Sequence, residues 1–125
     1  MTNAKPLAFV IEDYPDQYTV FCKALEMAGY DVDGTIDGAI AQQRLAEVVP
    51  DLILLDLHMP NVSGDILLAQ IRADDRLAKT RVWLATADAL HAEVLRSQAD
   101  LVLLKPISFL QLRQLAERVI GKPKT

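Results

Sequence analysis

Four unbroken apolar runs recur along the chain, at Leu7-Ala8-Phe9-Val10-Ile11, Leu52-Ile53-Leu54-Leu55, Val82-Trp83-Leu84-Ala85 and Leu101-Val102-Leu103-Leu104. A weaker fifth candidate spans Tyr30 to Ile36. A run this short with no polar residue in it suits a strand covered on both faces. Between the runs, and after the last, apolar residues fall at helical spacing: Phe21, Ala24, Leu25 and Ala28; Ile40, Leu45 and Val48; Ile66, Leu67 and Ile71; Leu90, Val94 and Leu95; Leu112, Leu115, Ala116 and Val119. These predict five helices that turn those residues toward a sheet. Pro15 suits a first helical turn and Gly29 the end of the same helix. Asp37 suits a cap, and Ser108 with Gln111 a capping box.

Strict alternation of strand and helix constrains the fold more than any single residue does. Parallel neighbours need a crossover, and the crossover is right-handed, so helices cover both faces of a mostly parallel sheet. The expected class is α/β, a doubly wound (βα)5 sheet of flavodoxin-like order 2-1-3-4-5. At 125 residues, 51% apolar and 24% charged, the chain fits one domain with a two-sided core, residues 1–125, with no effector domain expected.

Charge and cysteine content remove several function classes. A net charge of −4, without clustered Lys and Arg among aromatics, leaves no footprint for direct nucleic-acid binding. The single Cys22 has no disulfide partner and reads as a small buried hydrophobe in a reducing compartment. No apolar stretch is long enough for a signal peptide or a membrane span. A cytoplasmic domain is expected, its oligomeric state left open.

Ligands of such a sheet bind beyond the carboxyl ends of its strands, where strand order reverses. The first run ends in Glu12-Asp13, the third strand in Asp56, the fourth in Thr86-Ala87 and the fifth in Lys105-Pro106. On the expected order, three carboxylates, a hydroxyl and an ammonium share one rim. Clustered carboxylates call for a cation. An all-oxygen set without a Cys or His cluster points to Mg²⁺. A cation facing Lys105 is arranged for a phosphoryl group, with Asp56 as the acid that can attack phosphorus.

Taken together, Glu12-Asp13, Asp56 with Met59-Pro60 and Gly64 behind it, Thr86-Ala87 and Lys105-Pro106 resemble the response-regulator receiver domain of two-component signalling (CheY-like), along essentially the whole chain. The resemblance implies that Asp56 accepts phosphate from a sensor histidine kinase or phosphotransfer protein, and that a downstream protein reads the result. It implies Mg²⁺ held by Glu12, Asp13, Asp56 and the backbone carbonyl of His58, Asp13 binding directly. It implies that Thr86 swings toward the phosphoryl group, that Lys105 pairs with it, and that the Lys105-Pro106 bond is cis. His58 and Asp88 would modulate how water reaches the phosphoaspartate.

Simpler roles compete for single residues. Glu12-Asp13 could favour a helix dipole, Thr86 or Asp88 could cap a helix, and Lys105 could be a solvated cation. Asp56 resists such a reading, because an acid closing a buried strand is tolerated where it is paired or functional. His58 lacks a neighbouring His or Cys in sequence, which argues against zinc, and His91 reads as surface. One position departs from the family: three residues before the lysine, where an aromatic is usual, stands Val102. A stiff side chain without a hydroxyl cannot relay by rotamer exchange, so the expected switch lies in the loops after the third or fourth strand. Two other classes share parts of the pattern. A haloacid-dehalogenase-type phosphatase would carry Asp-x-Asp after its first strand, and a flavodoxin-like flavin carrier would offer hydroxyls and amides where Glu12-Asp13 stands.

Overall fold

The computed structural model describes residues 4–124. Strand and helix alternate five times: β1 (Leu7–Ile11), α1 (Pro15–Ala28), β2 (Asp31–Thr35), α2 (Gly38–Leu45), β3 (Leu52–Asp56), α3 (Gly64–Ala73), β4 (Arg81–Thr86), α4 (Ala89–Leu95), β5 (Leu101–Leu104) and α5 (Phe109–Val119). Single-turn 3₁₀ segments at Asp75–Leu77 and Arg96–Gln98 follow α3 and α4. All the strands pair in parallel, in the expected order β2-β1-β3-β4-β5. The order reverses between β1 and β3, so the crevice beyond their carboxyl ends is the switch point.

The apolar runs lack polar residues because both sheet faces are covered. Successive side chains on a strand alternate between faces. Ala8, Val10, Leu52, Leu54, Trp83 and Ala85 pack with Phe21 and Leu25 of α1 and Leu112 and Ala116 of α5. Their neighbours Phe9, Ile11, Ile53, Leu55, Val82 and Leu84 pack with Ala41 and Leu45 of α2, Leu67 and Ile71 of α3, and Leu95 of α4. The predicted cap residues stand at their helix ends, Ser108 with one of the two bonds of a capping box. Gly29 adopts φ +113° after α1, Asp37 accepts from the N–H groups of Ala39 and Ile40, and Ser108 accepts from the Gln111 N–H.

Parts of the expected stripes turn outward instead. Ile40, Ile66, Leu90 and Val94 are exposed, Leu90 by 83%. In α4 the pair Leu90 and Val94, four residues apart, occupies one face, while Ala92 and Leu95, three apart, are buried on the other. The small Ala92 lets α4 lie against the sheet, so the larger residues are displaced outward. β2 is shorter than the Tyr30 to Ile36 run: Ile36 is exposed, and Tyr30 is buried with its hydroxyl donating to the Ala116 carbonyl at 3.2 Å. On the edge strand β5, Leu104 is half exposed. Among the described residues no helix is long and apolar enough to cross a membrane.

Candidate functional site

Register delivers the strand-end residues to one rim. Ile11 lies opposite Leu55, Asp56 opposite Ala85 and Thr86 opposite Leu104. Glu12 and Asp13 follow β1, Asp56 closes β3, Thr86 closes β4, and Lys105 lies one residue past β5. Glu12, Asp56 and Thr86 are buried, whereas Asp13 is exposed.

A single ammonium holds the buried acids. Lys105 Nζ lies 2.8 Å from Glu12 Oε1 and 3.3 Å from Asp56 Oδ2. The other Asp56 oxygen accepts the His58 backbone N–H at 3.0 Å, and Glu12 Oε2 accepts the Tyr14 N–H at 3.1 Å. Glu12 Oε1 is buried, and the Lys105 ammonium is the polar group beside it. Burial, with Asp56 adding to it and Lys105 opposing, pushes the Glu12 carboxyl up to about 7. Burial alone would lower Lys105, but Glu12 and Asp56 outweigh it and raise it.

Each side chain is placed by its local backbone. The Lys105 N–H donates to the Thr86 carbonyl at 2.8 Å, and the Lys105-Pro106 bond is cis. The Thr86 hydroxyl accepts the Asp88 N–H at 3.0 Å, and Asp88, not Thr86, caps α4 by accepting from the His91 N–H. The loop after β3 folds over the rim because Gly64 approaches it closely. A Cβ there would stand 2.5 Å from Leu57 Cα and 2.6 Å from the Asp56 carbonyl oxygen. Asn61, at φ +69°, ties this loop to Asp37 by a 2.7 Å hydrogen bond. Val102 is half-buried against the core cluster to which α2, α3 and Leu95 of α4 contribute.

The acidic set fits a hard divalent cation. Oxygens of Glu12, Asp13 and Asp56 lie within 4.8 Å of one another, one ammonium faces two buried carboxylates, and all the ligand atoms are oxygen, as Mg²⁺ requires. His91 departs from the sequence reading. It is not a plain surface residue: its ring meets the His58 ring edge-on at 6.1 Å between centroids, and its Nε2 lies 2.7 Å from Asp65 Oδ2. Thirty-three positions separate the two histidines, so adjacency in sequence could not pair them. The available signal was the spacing from Asp88, whose cap puts His91 in the first turn of α4.

Comparison with known proteins agrees with this geometry. The family described as response regulator receiver domain matches residues 8–117. The DNA-binding dual master transcriptional regulator RpaA of a Synechocystis strain is 39% identical over 82 residues, covering 66% of this chain and 34% of that protein. The sensor histidine kinase TmoS of Ectopseudomonas mendocina is 30% identical over 120 residues, covering 94% of this chain and 12% of that protein. The chain thus spans a minor part of the length of these relatives. Among solved structures, the receiver domain of sensor histidine kinase PA1611 from Pseudomonas aeruginosa PAO1 superposes with a TM-score of 0.80 at 27% identity, covering 92% of this chain and 97% of that one. That structure has a magnesium ion coordinated in its active site cleft.

Proposed function

The chain belongs to the response regulator receiver domain family, as a receiver domain of two-component signalling, and on that premise we propose that Asp56 is its phosphoacceptor. The observation that carries the proposal is a buried carboxylate at the switch-point end of β3, 3.3 Å from the Lys105 ammonium and within 4.8 Å of two further acids.

An Asp56 carboxylate oxygen attacks phosphorus and forms an acyl phosphate. The bond from phosphorus to the donor's imidazole nitrogen breaks, and that nitrogen keeps the electron pair. Such transfer needs positioning and charge compensation more than covalent help. Asp13, Asp56 and the His58 carbonyl would hold Mg²⁺, with Glu12 beside them. The cation, when bound, supplies charge neutralisation for the phosphoryl oxygens. Lys105, already shared between Glu12 and Asp56, moves its charge onto the new phosphoryl group. Thr86, whose hydroxyl accepts the Asp88 N–H, turns that hydroxyl to donate to a phosphoryl oxygen and carries the β4–α4 loop with it. His58 and Asp88 stand where water reaches the phosphoaspartate, so they set the lifetime of the signal. In this reading the chain catalyses only its own phosphorylation and dephosphorylation.

The phosphoryl donor is a histidine kinase or phosphotransfer protein, and the output is the binding of a downstream protein in the cytoplasm. Residues 1–125 form one receiver domain. With few rotamers and no hydroxyl at Val102, the switch is expected in the loops after β3 and β4. Chemical shifts on phosphorylation should therefore move in both loops. Changes confined to Val102 and β5 would defeat this mode of output. The acceptor itself is tested by intact mass after incubation with Mg²⁺ and acetyl phosphate. One added phosphoryl group that disappears in Asp56→Asn is expected; no adduct from acetyl phosphate or from a cognate kinase overturns the reading.

A further inference from the structure

His58 has no histidine near it in sequence, but the fold supplies one. His58, Asp88 and His91 each bring a donor atom within 4.8 Å of the other two. They come from different segments: the loop after β3, the cap of α4, and the first turn of α4. We propose that these three residues form a second metal site, for a divalent ion of borderline softness such as Zn²⁺, at the mouth of the acidic pocket.

The donor set and its support both favour this class of ion. Imidazole suits Zn²⁺, Cu²⁺ and Ni²⁺, whereas Mg²⁺ takes oxygen ligands, so two rings and one carboxylate select against the cation of the acidic pocket. Tetrahedral bonds of about 2.0–2.1 Å hold donors roughly 3.4 Å apart. Closing from the present spacing takes small side-chain rotations; His58 is exposed and free to make one, and Asp88 is exposed with one oxygen kept on the His91 N–H. His91 is already oriented. Asp65 Oδ2 holds its Nε2 at 2.7 Å, which leaves Nδ1 for an ion, the carboxylate–histidine arrangement that fixes tautomer and ring plane at metal sites. One oxygen of Asp88 accepts the His91 N–H at 3.0 Å, and its other oxygen is left for the ion. Three protein ligands leave the fourth position to water.

An ion held here joins the loop after β3 to the start of α4. Asp88 is bonded through its N–H to the Thr86 hydroxyl, and the His58 N–H is bonded to Asp56. Metal occupancy therefore restrains the two loops whose rearrangement accompanies phosphorylation. That consequence rests on the proposed function, whereas the site itself does not.

The test requires no phosphodonor, so it stands or falls separately from the phosphorylation of Asp56. Zn²⁺ is titrated into the full chain with Mg²⁺ in large excess, which keeps the acidic pocket occupied, while the ring resonances of both histidines are followed by NMR. One equivalent should move both rings along a single binding curve. His58→Gln and His91→Gln should each weaken Zn²⁺ binding by at least about tenfold, and Asp65→Asn by about tenfold through loss of the ring's support. Rings that respond on different curves, affinity unchanged in both histidine variants, or no Zn²⁺ binding in the presence of Mg²⁺ would each overturn the site.

Discussion

Glu12 is the residue at which the site's electrostatics are least settled. Its carboxyl is nearly inaccessible to water, lies close to Asp56, and is pushed up to about 7 by burial first and Asp56 second. A bound divalent cation favours the charged form, so below that pH binding has to displace a proton. Mg²⁺ affinity is therefore expected to rise with pH through about 7 and to level off above it, with proton release on the low side. Calorimetric titrations in two buffers of different ionisation enthalpy would count the proton, and Glu12→Gln should remove the step. Affinity that is flat across neutrality in the unmodified chain would refute this. Which residues meet at the rim was legible from the sequence, since each acid, hydroxyl or ammonium follows an apolar run. Their protonation was not, because it depends on how Lys105 divides its charge between two buried acids.

Elements show a similar division between pattern and placement. The runs and their alternation announced the sheet, yet apolar spacing in α4 did not say which face meets it. Leu90, Val94 and Leu95 looked like the buried stripe, but of these Leu95 alone packs inward, with Ala92 beside it, because a small residue can contact a sheet without advertising itself in hydropathy. The energetic consequence follows from burial. Leu95→Ala should cost about 2–3 kcal/mol by removing packed methyl groups. Leu90→Ala should stay within about 0.5 kcal/mol. Equal losses for the two in urea unfolding would mean that α4 is oriented otherwise. In the β3–α3 loop the limit is backbone proximity. Gly64→Ala sets a methyl 2.5 Å from Leu57 Cα, and since a main chain cannot yield as a flexible side-chain tip can, the loop must shift. A loss of about 1–3 kcal/mol is expected, with displaced amide resonances at Leu57 and His58. A variant with unchanged resonances there would show that the loop does not depend on this approach.

Across the whole molecule, the functional edge and the opposite end of the sheet respond to pH in opposite senses. Asp100 lies at that opposite end, just before β5. It accepts the Val82 N–H at 2.7 Å and pairs with Lys124 at 3.2 Å and Arg72 at 3.3 Å, joining β4, α3 and the C-terminal segment. Burial opposes its charge, but these partners outweigh burial and hold its carboxyl below the ordinary 3.8. A depressed folded-state value contributes stability that is present above about 3.8 and lost as pH falls through the lower, folded value. Glu12 has the reverse sign. Its folded value near 7 exceeds the ordinary 4.5, so its contribution is complete below about 4.5 and is lost as pH rises through 7. The metal-free chain should therefore lose up to about 3 kcal/mol between weakly acidic and weakly alkaline solution. Added Mg²⁺ should offset the loss by binding the folded state alone. Asp100→Asn should cost about 1 kcal/mol at neutral pH, since part of its charge interaction is screened by solvent, and should flatten the acid limb only. Glu12→Gln should flatten the alkaline side only. Urea unfolding of the three proteins across this pH range, with and without Mg²⁺, separates the two limbs. An alkaline loss that survives both Glu12→Gln and Mg²⁺ would place its origin outside the acidic pocket.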